Sequence, residues 1–251
     1  MDLAPDTFDP QGFARLAVVE PGHFWFEERR QLITWALQRY FSTAKDFCEV
    51  GCGTGFVLAG LESRLPGLNL TGIEYYPEAL PHASARLTRT RLLTGNICQL
   101  PFREEFDVVG CFDVLEHILD DRLALVNLAA SLRLGGGLIL TVPQHPRLWS
   151  LADEIGHHQR RYTRRELQDK IASAGLVCQR ITSFVTFLLP VMWMSRCTAR
   201  RVDHAYNELT PSPAANWIGG RLLKLERDLI ARGVSFPFGG SLVVIATKPT
   251  V

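Results

Sequence analysis

The densest chemistry in the sequence lies in FCEVGCGTGF, Phe47 to Phe56, where Gly51-Cys52-Gly53-Thr54-Gly55 follows an apolar run. Glycines let a backbone turn sharply and approach a ligand with no Cβ in the way. A dinucleotide site would read GxGxxG. Aligned on Gly51 and Gly53, its third glycine falls on Phe56, so that pattern fails. Glu49, just before the loop, would repel a pyrophosphate and attract a cation or an amine. Glu74 ends the next apolar run, in LTGIEYY, where a carboxylate can accept hydrogen bonds from both ribose hydroxyls. These types and spacings predict a ribose-bearing ligand that is not a dinucleotide. A second constellation is Asp113, Glu116 and His117, at i, i+3 and i+4 on one face of a helical turn. With His158 it offers enough ligands for a divalent cation, the competing reading being a structural turn without metal. No metal is the reading adopted.

The elements that must hold these residues alternate. Helix is expected over His23–Phe41, Phe56–Leu65, Pro77–Thr88, Asp121–Leu134 (stopped by Gly135-Gly136-Gly137) and Thr163–Ala174. In the last of these Thr163 is the N-cap, with Glu166 three residues on. Strand is expected over Phe47–Val50, Leu68–Tyr75, Arg91–Thr94, Phe106–Phe112, Leu138–Val142, Leu176–Phe187 and Ser241–Thr247. Alternation at this spacing means a parallel sheet covered by helices on both faces. Residues 188–238 read as a helical insertion, with Ile218, Leu222, Leu225 and Leu229 at helical spacing and the loop LTPSPAAN inside it.

Composition excludes several classes. The 251 residues are 47% hydrophobic and 21% charged, a folded and not a disordered composition. Lys plus Arg is 27 against 26 for Asp plus Glu, and a formal charge of +1 gives no global field for nucleic acid. Cys48, Cys52, Cys98, Cys111, Cys178 and Cys197 form no CxxC, and most sit in or beside apolar runs as reduced thiols do. MDLAPDTFDP lacks the basic and apolar regions of a signal peptide, so a cytoplasmic protein is expected. The longest apolar stretch, Phe184 to Met194, falls short of the about 20 residues that span a bilayer. Arg180 precedes it, and Arg196, Arg200 and Arg201 follow. The favoured reading is a core strand running into a buried helix; the other is a peripheral membrane contact through residues 184–201. Composition indicates no oligomeric state.

EVGCGTG, GIEYYPEAL, FDVVGCFDVLEHI and LRLGGGLILTVP, in that order, resemble a class I S-adenosylmethionine-dependent methyltransferase over about Phe47 to Gly175. PGHFWFEERRQLI and WSLADEIGHHQRRYTRREL resemble a narrower bacterial group often associated with surface-glycan or secondary-metabolite biosynthesis. The resemblance implies an α/β fold: a Rossmann-like seven-stranded sheet, last strand antiparallel, with helices on both faces. It adds an N-terminal cap helix and a helical insertion before the last strand. The chain is then a single methyltransferase domain, 1–251, with a cap at 1–45, a cofactor-binding core at 46–187, an acceptor wall at 188–238 and a last strand at 239–251.

By position, the resemblance implies that Gly51, Cys52, Gly53, Thr54 and Gly55 line the methionine part of S-adenosylmethionine, with Glu49 helping to hold it. Glu74 takes the ribose hydroxyls, and Tyr75, Asn96 and Ile97 meet the adenine. Phe112 and Asp113 face the reactive end, while Trp25, Phe26 and Arg30 on the cap helix either face the cofactor or merely pack that helix down. The product would be S-adenosylhomocysteine.

Methyl transfer from a sulfonium is an in-line displacement, so the protein mainly supplies proximity and alignment. An O or N acceptor must lose a proton, and His117, His145, His157 and His158 are the candidate bases. Arg160, Arg161 and Tyr162 are candidate acceptor contacts through a phosphate or carboxylate, the alternative being a solvated helix start. The expected acceptor is a small molecule or a lipid-linked intermediate. The alternatives are a metal-assisted RNA-end methyltransferase, since Asp113, Glu116, His117 and His158 are spaced nearly as in small-RNA 3′-end methyltransferases, and a cofactor-binding module without turnover.

Overall fold

Seven apolar runs pair into one sheet: β1 (Asp46–Val50), β2 (Asn69–Glu74), β3 (Arg91–Thr94), β4 (Phe106–Phe112), β5 (Leu132–Pro143), β6 (Val177–Phe184) and β7 (Ser241–Thr247). The computed structural model describes residues 12–198 and 210–250. Strand order is β3-β2-β1-β4-β5-β7-β6. β1 to β5 are parallel, and β7 runs antiparallel to both its neighbours. The order reverses between β1 and β4, so the crevice outside their carboxyl ends is where such a sheet binds ligands.

The central strands are buried on both faces, and their residues alternate between two cores, while the edge strand β3 is partly exposed. Val109 and Cys111 of β4 join Leu138, Leu140 and Val244 on one face. Val108 and Phe112 join Phe47, Ile139 and Ile245 on the other. The first face is covered by α5 (Asp121–Ser131) and α7 (Arg164–Ser173), labelled in a chain order that starts with α1 (Gly12–Val19), α2 (Phe24–Tyr40), α3 (Phe56–Arg64) and α4 (Leu80–Arg86). α2 and α3 cover the second face through Ile33, Leu37, Leu58 and Leu61. The short α6 (Leu151–Ile155) follows β5; α8 (Leu189–Thr198) and α9 (Pro213–Ala231) lie between β6 and β7. α9 packs along α2, with Gly219 giving room to the Phe24 ring. Thr163 caps α7 by accepting from the Glu166 N–H at 3.3 Å, as its spacing predicts.

Several expectations need correction. α1 was not anticipated, because its two turns show little polar punctuation. α5 ends at Ser131, and the glycine triplet lies inside β5. Gly137 leaves the space that the Phe41 ring fills, a packing role that punctuation rules mistake for a helix stop. The strand expected to reach Phe187 ends at Phe184, and Val185 turns with φ of 65°. α8 is not buried: Val191, Trp193 and Met194 are each more than half exposed. Arg200 and Arg201 lie outside the described residues, and Arg196 and Cys197 have no described side chains. Among the described residues no helix is long and apolar enough to cross a membrane, and the other five cysteines are free thiols.

Candidate active site

β1 delivers the glycine loop to the crevice. The N–H groups of Gly51 and Cys52 both donate to the Ile73 carbonyl of β2, at 2.7 and 3.1 Å. Gly51 has φ of 77°, and a Cβ there would meet Val114 at 2.3 Å, so glycine is required on two counts. Gly53 is different: a Cβ would find only Phe13, at 3.8 Å, and would project into the cavity. Gly55 does not line that cavity. It is the left-handed N-cap of α3, tight against Leu87 and Ala83, so its expected cofactor role gives way to helix initiation.

Glu74 organises the loop. One carboxylate oxygen accepts from Gly53 N–H at 2.7 Å, and the other from Tyr75 and Tyr76 N–H at 2.8 and 3.1 Å. Burial raises its pKa, while those three donors hold the rise back. Asn96 uses its side-chain carbonyl to cap the turn at Cys98 N–H, 2.8 Å away, with Ile97 buried beside it on the cavity wall. Thr54 also lines the wall, but its hydroxyl is taken by Glu20 of the α1–α2 connection and by Arg86.

Acids crowd the floor. Glu49 is 3% exposed, one of its oxygens has no hydrogen-bond partner, and burial pushes its pKa well up. The cation that acts on Glu49 is Arg29, which pairs with Asp113 and lies over the Trp25 ring at 4.4 Å. Arg29 was not expected; Arg30 was. Arg30 instead stacks on Phe56 at 4.5 Å and pairs with Glu27, outside the cavity. Helical spacing was the available signal: Trp25 and Arg29 share one face of α2, Phe26 and Arg30 the next. Phe26 is buried against Phe56 and takes Arg30 with it.

The histidines separate. His117 and His158 line the cavity with rings 4.7 Å apart, edge to face. Burial lowers His117 to about 3, so it stays neutral near pH 7. His158 Nδ1 lies 2.9 Å from Asp153. His145 and His157 do not line the cavity; His145 stacks on Phe238. The expected anion patch also breaks up. Tyr162 is fully buried, its hydroxyl donating to Leu115 O and Asp121. Arg160 turns to Leu119 O and Asp121. Arg161 alone reaches the cavity wall, with its guanidinium held by Asp153 and Gln144 O. The cause is the bridge between Tyr162 and Gln144, which extends this segment and sends successive side chains to opposite sides.

The cavity measures about 970 Å³, the top of the roughly 300–1,000 Å³ range of small-molecule sites. One end is the glycine loop, Glu74 and Asn96. The other is apolar, from Phe24, Trp25, Leu188, Met192, Ile218 and Leu222.

One pH effect follows from this floor. An acid whose pKa is raised in the fold keeps its proton more tightly folded than unfolded. Its contribution is favourable at low pH and is lost as pH climbs past the ordinary 4.5. Glu49→Gln removes that loss. Each pKa unit is about 1.4 kcal/mol, and a chain this long gains roughly 2–4 °C per kcal/mol. The ligand-free variant should melt a few degrees above the parent at pH 7.5 and level with it near pH 4, read by calorimetric melts.

Comparison with known proteins agrees with this geometry. Residues 48–140 match the methyltransferase domain family. A probable S-adenosylmethionine-dependent methyltransferase of Mycolicibacterium smegmatis is 29% identical over 125 residues, 48% of this chain and 46% of that protein. A chloroplastic 2-methyl-6-phytyl-1,4-hydroquinone methyltransferase of Oryza sativa is 30% identical over 135 residues, 53% of this chain and 38% of that one. The chain thus spans less than half the length of these relatives. Among solved structures, the [4+2]-cyclase SpnF superposes with a TM-score of 0.61 at 15% identity, covering 99% of both chains. The fold is therefore the class I methyltransferase fold, and residues 48–140, which match the methyltransferase domain family, are the part to test against S-adenosylmethionine. The residues fit that cofactor: Gly53 leaves its floor open, Glu74 keeps lone pairs for ribose, and the Glu49 oxygen lacks a partner beside the loop.

Proposed function

We propose that this chain is a single methyltransferase domain. It moves a methyl group from S-adenosylmethionine to an O, N or C atom of a partly apolar small-molecule or lipid-linked acceptor. One observation carries the reading: a single cavity joins the Gly53–Glu74 end to the apolar wall of Leu188, Met192, Ile218 and Leu222. The cofactor supplies a methyl group already activated on sulfonium, leaving S-adenosylhomocysteine. Glu74 and Gly53 would hold its ribose and methionine ends, and Glu49 would support the cationic region. Trp25 and Arg29 close α2 over the reactive end and hold Asp113 aside. Catalysis is then mainly alignment. Of the two histidines at the wall, His117 is held neutral, and His158 has a carboxylate behind it to orient its ring.

The hydroquinone methyltransferase of Oryza sativa acts, by its name, on an acceptor with a phytyl tail, which is the polarity this wall suits. The exposed Val191, Trp193 and Met194 on α8 would let the cavity mouth meet a membrane that carries such an acceptor. The second reading is a cofactor-binding domain without methyl transfer, since SpnF, a cyclase, shares the fold.

Methyl-labelled S-adenosylmethionine, incubated with the protein and an extract of the source cells, tests the proposal. Label should enter the lipid or small-molecule fraction. Label confined to RNA or protein would overturn the acceptor class. Binding of S-adenosylhomocysteine with label nowhere would favour the module without turnover. With an acceptor in hand, Leu222→Ala should raise its KM about 5- to 30-fold, the equivalent of 1–2 kcal/mol of lost apolar contact. Binding of S-adenosylhomocysteine should stay unchanged.

A further inference from the structure

Three side chains at the cavity wall are arranged in a way that neither cofactor binding nor alignment uses. Glu116, His117 and His158 each offer one ligand atom, and these atoms lie within 4.8 Å of one another. Glu116 is 1% exposed, and one of its oxygens is buried with no hydrogen-bond partner. The Nδ1 of His117 is likewise buried and unpartnered. Buried polar atoms are almost always satisfied, so two orphans in a group whose ligand atoms lie within 4.8 Å of one another call for a ligand. The His117 ring is held by donating to the backbone carbonyls of the turn at Gly156 and His157. Asp153 engages His158 Nδ1 at 2.9 Å, which leaves Nε2 as that ring's other nitrogen. Asp153 is itself fixed by Arg161 at 2.7 Å and by Ser150. Imidazoles that bind a metal are oriented in this manner, the second nitrogen held by a carbonyl or a carboxylate.

We infer that Glu116, His117 and His158 form a binding site for a divalent first-row transition cation, with its remaining coordination positions open to the cavity. Two imidazoles and one carboxylate suit Zn2+, Mn2+ or Fe2+ better than Mg2+, which prefers an all-oxygen shell. Asp113 is not a member of the set: Arg29 holds it. The group of four read from the sequence thus becomes three, and the proposal departs from the expectation of no metal. Ligands bound at about 2.1 Å lie roughly 3–4 Å apart, so the three side chains must close by about 1 Å through rotation about their χ angles. A three-ligand site leaves positions for water or for an acceptor oxygen. In the ion-bound protein His158 is a ligand and not a base. Cation binding does not depend on the methyl-transfer reading, and its test reads the metal directly.

The test is addition of Co2+ and, separately, Zn2+ to the chelator-stripped full chain. Visible absorption of Co2+ reports the ligand field, and calorimetry reports stoichiometry. One ion per chain should bind, with d–d bands of low-symmetry coordination. Glu116→Gln and His158→Ala should each weaken binding at least 10-fold, while His82→Ala on α4 leaves it unchanged. Melting curves and S-adenosylhomocysteine binding, run on every variant, separate loss of the site from loss of fold and from failure of the cofactor reading. Absence of binding by the parent, or binding that survives both site variants, would overturn the assignment.

Discussion

Glu74→Gln should weaken S-adenosylhomocysteine binding by roughly 10- to 150-fold, the equivalent of losing about 1.5–3 kcal/mol of charge-assisted hydrogen bonding. The argument is geometric. Both Glu74 oxygens already accept from the loop, one from Gly53 and one from Tyr75 and Tyr76. An amide of the same shape must turn its NH2 toward one of these N–H groups, donor against donor. The loop is pushed off either Gly53 or the start of the adenine side, and the charge that would hold the ribose hydroxyls is lost as well. Glu74→Asp keeps the charge but withdraws it by one methylene, so its loss should be intermediate. Titration calorimetry with S-adenosylhomocysteine checks both variants, and melts report whether the loop has loosened the fold. A dissociation constant for Glu74→Gln within about 3-fold of the parent would remove Glu74 from the ribose site.

Arg29→Ala should cost stability and cofactor affinity together, whereas Arg30→Ala should cost little of either. Arg29 is the cation set between Asp113 and the buried Glu49, with side-chain exposure of 12% against 19% for Asp113. Removing one partner of a fully buried pair costs about 3–5 kcal/mol. Solvent reaches this pair, so a loss on the order of 2 kcal/mol is expected, or about 4–8 °C in Tm. The Trp25 ring also loses the cation it carries, so the reactive end of the cavity loosens and S-adenosylhomocysteine affinity falls. Arg30→Ala gives up a contact with Phe56 and a partly exposed pair with Glu27, about 1 kcal/mol or less. Adding Asp113→Asn to Arg29→Ala should restore part of the stability, because the unpaired acid is then gone; the double-mutant cycle measures that coupling. Equal effects of Arg29→Ala and Arg30→Ala would remove Arg29 from the site.

Much of the fold was legible because its signals are local. The bounds of β3, β4 and β7 agree with the apolar runs that mark them, each a short run between turn residues. The glycine loop and Glu74 were legible for the same reason: their chemistry depends on backbone shape at consecutive residues. Asp113, Glu116 and His117 were singled out as neighbours, and the structure keeps two of them together.

Other assignments needed the packed chain. His145, His157, Arg160 and Tyr162 carry suitable chemistry, yet the structure turns all four away from the cavity. Gly137 looked like punctuation and is room for a ring. The sequence by itself determined the order of the seven strands, the glycine loop and the acid that braces it, because each is written in neighbouring residues. Tertiary structure decided which side chains face the cavity. Successive residues of a helix point about 100° apart, so the burial of Phe26 sends Arg30 to one side and leaves Arg29 to meet Asp113. Only the packing of α2 against the sheet selects between two adjacent arginines of identical chemistry.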